Sequence, residues 1–108
     1  MKIYITITTR FEGFHCWPDA PKEVAFLRDL HRHVFHVKAV KDVAHHDRDI
    51  EFILLKRKID KHIEMLAAGT PATDNWSCER WAIELLDAFG LAECEVSEDG
   101  ENGARVVA

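Results

Sequence analysis

The apolar residues of this 108-residue chain change spacing twice along its length, and no other feature constrains the fold as much. From Lys2 to Phe14, Ile3, Ile5 and Ile7 alternate with Tyr4, Thr6 and Thr8, the two-residue period of a strand with one buried face. Pro18, Asp19 and Pro21 break regular structure and predict a loop over 17–22, followed by a short helical turn within 23–30. Alternation resumes from His31 to Val43, where Phe35, Val37 and Ala39 share the parity of His31 and His33.

The spacing then becomes helical. Phe52, Leu55, Ile59, Ile63 and Leu66 step by three and four, with Asp49 as the expected N-cap and Gly69-Thr70-Pro71 as the end. Thr73 or Asp74 is positioned to cap a second helix whose inward face is Cys78, Trp81, Leu85 and Phe89 and which Gly90 stops. Between Glu93 and Val107 the pattern predicts two short strands joined across residues 99–103. The order is therefore ββααββ. It predicts one α+β domain over residues 1–108, a four-stranded antiparallel sheet backed by two helices. The outer strands of such a sheet have free edges, which are often closed by pairing with another copy.

Charge narrows the partners. Asp and Glu outnumber Lys and Arg by 19 to 14, for a formal charge of -5, whereas a nucleic-acid surface needs surplus cations. The N-terminal residues alternate and do not form the apolar core of a signal peptide, and no apolar run approaches the roughly 18 residues of a membrane span. Three widely spaced cysteines, Cys16, Cys78 and Cys94, suit reduced thiols. The expectation is a cytoplasmic protein that binds neither nucleic acid nor membrane.

Seven histidines make an H-x-H pair common by chance, and hydrogen-bonded structural histidines are the competing reading. Parity sets three of them apart. His15 falls on the apolar face of the first strand, and His31 and His33 fall on the apolar face of the second. If the strands form a hairpin, all three imidazoles emerge on the helix-covered side, as three metal ligands with an open fourth position. His36, His45, His46 and His62 lack this arrangement and read as surface or loop residues.

Several spaced motifs together resemble the 6-pyruvoyl- and 6-carboxy-tetrahydropterin synthases over nearly the whole chain. Phe11-Glu12-Gly13-Phe14-His15 resembles that family's F-x-A-A-H, and His31-Arg32-His33 its H-G-H. Glu51-Phe52-Ile53-Leu54-Leu55-Lys56 resembles D-F-x-x-L-K, Pro71-Ala72-Thr73-Asp74-Asn75 resembles P-T-x-E-N, and Val96-Ser97-Glu98-Asp99 with Ala104 resembles the V-x-E-T hairpin. The resemblance implies the tunnelling fold, Zn2+ on His15, His31 and His33, and a trimer or hexamer with pockets between subunits. It further implies that Glu98 grips the amino-pyrimidine edge of a pterin or purine-like ligand, with Asp74 beside it. The setting would be tetrahydropterin or queuosine biosynthesis, and the activity a zinc-dependent lyase or synthase on a dihydroneopterin-triphosphate-like or related pterin.

The departures bear on catalysis. The family's cysteine base corresponds to Leu27, its Asp-His pair falls at Ala67 and Ala68, and the H-G-H glycine is Arg32, whose side chain belongs on the opposite face. Cys16 could supply proton transfer, although alternation predicts that it points away from His15, as a small buried residue. Glu23 and Asp29, in the segment before His31, are alternative carboxylate bases. A non-catalytic zinc protein that carries, senses or sequesters such a ligand accounts equally for these replacements. Trp76 and Trp81 read as core or interface residues.

Overall fold

The computed structural model describes residues 1–69 and 73–108. Strands β1 (Ile3–His15) and β2 (His31–Val43) pair antiparallel over thirteen residues each, from Ile3 opposite Val43 to His15 opposite His31. Strands β3 (Glu93–Glu98) and β4 (Asn102–Val107) extend the sheet in the order β1-β2-β3-β4, every pairing antiparallel. Helices α1 (Phe52–Ala68) and α2 (Cys78–Phe89) complete the ββααββ domain, with a short 3-10 helix at Lys22–Arg28 between β1 and β2.

Alternation places every second residue on the covered face, and the register joins those residues across strands. Phe35 lies opposite Phe11 and Glu98, Val37 opposite Val96, and Val96 opposite Ala104. Helix α1 lies over β1 and α2 over β3 and β4. Between the layers Phe35, Val37, Ile59, Leu85, Cys94 and Val96 are almost fully buried, and each larger apolar side chain buried this way contributes about 1.5–3 kcal/mol. Thr6, Thr8, Arg10 and Glu12 lie exposed on the opposite face.

The helix ends differ from expectation. Glu51, not Asp49, caps α1 by accepting from the Ile53 and Leu54 N–H groups, while the Asp49 carboxylate accepts from Ala44 N–H and closes the preceding turn. Ser77, not Thr73 or Asp74, caps α2. In each case a polar residue nearer the first helical turn reaches the orphan N–H groups first. Phe52 shares the direction of the buried face but stays 53% exposed, because burial begins one turn later at Leu55. Gly90 ends α2 in the left-handed region, φ 56°. Pro71 and Ala72, part of the P-T-x-E-N-like motif, lie outside the described residues.

Gly103 is required where β4 approaches β3: a Cβ there would lie 2.3 Å from the Val96 carbonyl oxygen and 2.6 Å from Ser97 Cα. Both are backbone atoms, so any side chain forces the strands apart. Arg105 and Glu93 pair across the same hairpin. No helix among the described residues is long and apolar enough to cross a membrane.

Candidate metal centre

The β1–β2 hairpin brings three histidines together at one end. His15 and His31 are the terminal cross-strand pair, and His33 faces Gly13. Ring centroids are 4.5 Å apart for His15–His31, 4.9 Å for His15–His33 and 4.8 Å for His31–His33, with ring planes 70–89° apart. One nitrogen from each ring lies within 4.8 Å of the other two. Phe35 props the cluster from the core, edge-on to His15 at 5.4 Å and to His33 at 5.9 Å.

The hydrogen bonds of the outer nitrogens set the tautomers. His15 Nδ1 donates to the Trp76 carbonyl at 3.1 Å, His31 Nδ1 to the Asp29 carbonyl at 2.7 Å and His33 Nδ1 to the Asp99 carboxylate at 2.7 Å. Carbonyl and carboxylate oxygens only accept, so each neutral ring carries its proton on Nδ1 and turns a bare Nε2 lone pair inward. The Nε2 atoms of His31 and His33 are buried without a hydrogen-bond partner among the described residues. Convergent buried lone pairs are costly unless a cation sits between them. The donor set therefore fits a metal ion, with each ligand oriented by an outer acceptor as is general for metal-bound histidine.

Glu98, on the same face of β3, directs its carboxylate at this cluster: Oε1 is 3.4 Å from His15 Nε2 and Oε2 is 3.4 Å from His33 Nε2. Ligand atoms on a tetrahedral ion with bonds of about 2.0–2.1 Å stand about 3.3–3.4 Å apart. Glu98 thus stands where it can complete the ion's surroundings or take a proton from a ligand. Burial first, then the charges of Glu98 and Glu79, push the Cys78 thiol up to about 12.

Asp99 supports the site from behind. It adopts φ 55°, a conformation that aspartate tolerates better than most residues. Its carboxylate accepts from Val34 N–H at 2.9 Å as well as from His33. These two hydrogen bonds, Val34 first, hold its carboxyl below the ordinary aspartate range. Asp99→Asn is expected to weaken metal binding about 10–100-fold without removing the site, measured by competition with a chromophoric chelator.

A cleft of about 480 Å³ opens beside the cluster, floored by His15, His31 and Glu98 and walled by Trp17, Leu27 and Trp76. Leu27, at the position of the resembled family's cysteine, faces this cleft. Cys16 also lines it, contrary to the expectation of a residue turned away from His15: β1 ends at His15, so strand alternation no longer governs the next side chain. Glu23 is exposed on the 3-10 helix and is not part of the cleft wall. Asp29 acts through its carbonyl on His31, and its side chain is exposed. Asp74 likewise contributes its carbonyl, accepting from Cys16 N–H at 2.7 Å, while Asn75 lines the cleft. Ala67 and Ala68 close α1 and are exposed, outside the cleft wall. Arg32 points to the other face, where it pairs with Glu12 at 2.9 Å. Trp81 is buried in the core, whereas Trp76 is half-buried and forms a cleft wall.

His62, expected at the surface, instead bridges the helices. Its ring meets Phe89 edge-on at 5.3 Å and its Nε2 approaches Glu84 at 3.7 Å. Sequence reasoning did not identify Asp99, Cys78 or Asn102 as site residues. The even parity shared by Cys94, Val96 and Glu98, continued to Asn102, was the available signal for Asn102.

The three thiols are predicted to differ sharply in reactivity. Burial pushes Cys94 up to about 12, as it does Cys78, whereas Cys16 is half-buried at the cleft. In native protein near neutral pH only Cys16 is expected to react with a maleimide within minutes, with Cys78 and Cys94 modified on unfolding; peptide mass mapping reads the difference.

Comparisons of the sequence with protein-family models and with curated proteins found no match.

Proposed function

We propose that this chain is a zinc protein of the 6-pyruvoyl-/6-carboxy-tetrahydropterin synthase type, a lyase or synthase whose cleft binds a pterin or purine-like heterocycle. The observation that carries the proposal is the convergence of three inward Nε2 atoms, two of them buried without a hydrogen-bond partner among the described residues, beside the Glu98 carboxylate at the floor of an aromatic-walled cleft. Zinc is the ion that three imidazoles with one open position suit best, and bound there it would polarise a carbonyl or hydroxyl oxygen of the ligand.

The chain's own residues supply recognition and proton transfer. Glu98 accepts N–H donors from the heterocycle's edge, and Trp76 and Trp17 offer flat apolar surface to its ring. Cys16 is the thiol placed to move a proton beside His15. Cys78 remains protonated near neutral pH and so is no base. The free edges of β1 and β4 favour closure between copies, as a trimer or hexamer, which light scattering can read.

A binding protein without turnover is the second reading, favoured by Leu27 standing in the cleft wall where the resembled family has its base. Incubation of the zinc-loaded protein with dihydropterins carrying a 6-side chain, followed by absorbance and mass, separates the two. Side-chain loss that disappears in Glu98→Ala and falls strongly in Cys16→Ser establishes the lyase. Saturable binding without product establishes the binder. Absence of both refutes the proposal.

A further inference from the structure

We infer that Glu98 is the fourth ligand of the metal while no heterocycle is bound, and that an entering heterocycle draws the carboxylate off the ion. This rests on the zinc and ligand-binding reading above and adds that the chain itself closes the open position. The Nδ1 atoms of His15 and His33 donate to the Trp76 carbonyl and the Asp99 carboxylate, so their Nε2 atoms are bare lone pairs. Glu98 sets Oε1 3.4 Å from His15 Nε2 and Oε2 3.4 Å from His33 Nε2. An ionised carboxylate has no proton to give, so acceptor faces acceptor at both contacts. Such groups converge at low cost only around a cation, and about 3.3–3.4 Å is the spacing of neighbouring ligand atoms on a tetrahedral ion.

The backbone around Glu98 is pinned while its side chain is free to turn. Glu98 lies opposite Phe35, its carbonyl accepts from Glu101 N–H at 2.9 Å, and Asp99 N–H donates to the Val34 carbonyl at 2.7 Å. Consecutive carboxylates therefore hold the His33 ring from both ends, Asp99 at Nδ1 and Glu98 at Nε2. The Glu98 side chain is 31% exposed and lines the cleft, so it can swing from the cluster without opening the core. A heterocycle with adjacent N–H groups offers the carboxylate new donors as it leaves the ion, while an oxygen of the same ligand takes the vacated position. A molecule that brings the metal an oxygen but Glu98 no donors leaves a desolvated carboxylate unpaired and binds more weakly. The carboxylate thus makes access to the metal conditional on the N–H edge.

The test uses the full chain loaded with cobalt(II), whose visible absorption reports its ligands, and neutral imidazole as the probe, because an uncharged probe is not repelled by Glu98. A position that Glu98 fills nine-tenths of the time or more costs an incoming ligand about tenfold or more in affinity. Imidazole is therefore expected to bind the cobalt centre at least about tenfold more tightly in Glu98→Gln and in Glu98→Ala than in the unaltered chain. Addition of 7,8-dihydroneopterin to the unaltered chain should change the cobalt spectrum as the carboxylate leaves. Equal imidazole affinity in all three proteins would overturn the inference, making Glu98 an ion-pair partner of protonated histidine, and would leave the pterin reading standing. Dihydroneopterin that binds by calorimetry without altering the cobalt spectrum would overturn it too. Failure of cobalt and zinc alike to bind the unaltered chain would refute the metal reading itself, and this inference with it.

Discussion

His31→Ala is expected to eliminate stoichiometric zinc binding while leaving the apo fold intact. The ring's Nδ1 is held by the Asp29 carbonyl, and its Nε2 is buried without a partner among the described residues. Removing it deletes one of three ligands and also one of the converging lone pairs that the apo protein must tolerate. The metal affinity should fall by more than the 10–100-fold typical of losing only an outer-shell partner. Thermal unfolding reads both effects. Zinc at about a hundred times its Kd adds about 2.7 kcal/mol, which raises the midpoint of a domain this size by about 10–20 °C. In His31→Ala that rise should nearly vanish while the metal-free midpoint moves by only a few degrees. An undiminished zinc-dependent rise would show that the ion binds elsewhere.

The second large effect is expected at Phe35, where core and site meet. Phe35 is 1% exposed, stacks on Phe11 at 5.1 Å and stands edge-on to His15 and His33. Phe35→Ala leaves a cavity beneath two ligands and should destabilise the domain by about 3–5 kcal/mol, or about 15 °C or more in the unfolding midpoint. Phe35→Leu keeps most of the volume and should cost less than about 1.5 kcal/mol. It nevertheless removes the edge contacts that orient both imidazoles, so zinc affinity should fall about tenfold. Unchanged affinity in Phe35→Leu would show that the ligands are oriented by their Nδ1 hydrogen bonds alone.

The fold and the clustering of His15, His31 and His33 were legible in the sequence because both rest on local periodicity. The shared face of His15, His31 and His33 follows from counting by twos along two strands, and the bulge-free register over thirteen residues then sets His15 opposite His31. Glu98 was singled out only by the resemblance, and it is the β2–β3 register that sets it beside His15 and His33. What was not legible depends on which of several neighbouring groups reaches a backbone atom first, or on pairings distant in sequence. Glu51 and Ser77 cap the helices although Asp49, Thr73 and Asp74 are equally good caps by residue type. Asp99 reaches His33 and Val34 only because the β2–β3 register sets the β3–β4 turn beside them. Asp29 and Asp74 were read as carboxylates, yet the structure uses their carbonyls, which residue type does not reveal. Cys16 enters the cleft because its strand stops one residue earlier, and strand ends are less sharply marked in sequence than strand interiors.

The charge lining of the cleft is also a sequence property, but one that only the fold assembles. Glu79 and Glu98 are nineteen positions apart and come to one wall because α2 lies over β3.

X-ray absorption at the zinc edge of the loaded protein tests the three-histidine centre most directly, because imidazole nitrogen and thiolate sulfur bind at separable distances. The proposed zinc site predicts nitrogen and oxygen neighbours alone at about 2.0–2.1 Å, with the outer scattering of three imidazole rings. A sulfur neighbour at about 2.3 Å would contradict it, because Cys16 or Cys78 would then hold the ion in place of one of the histidines.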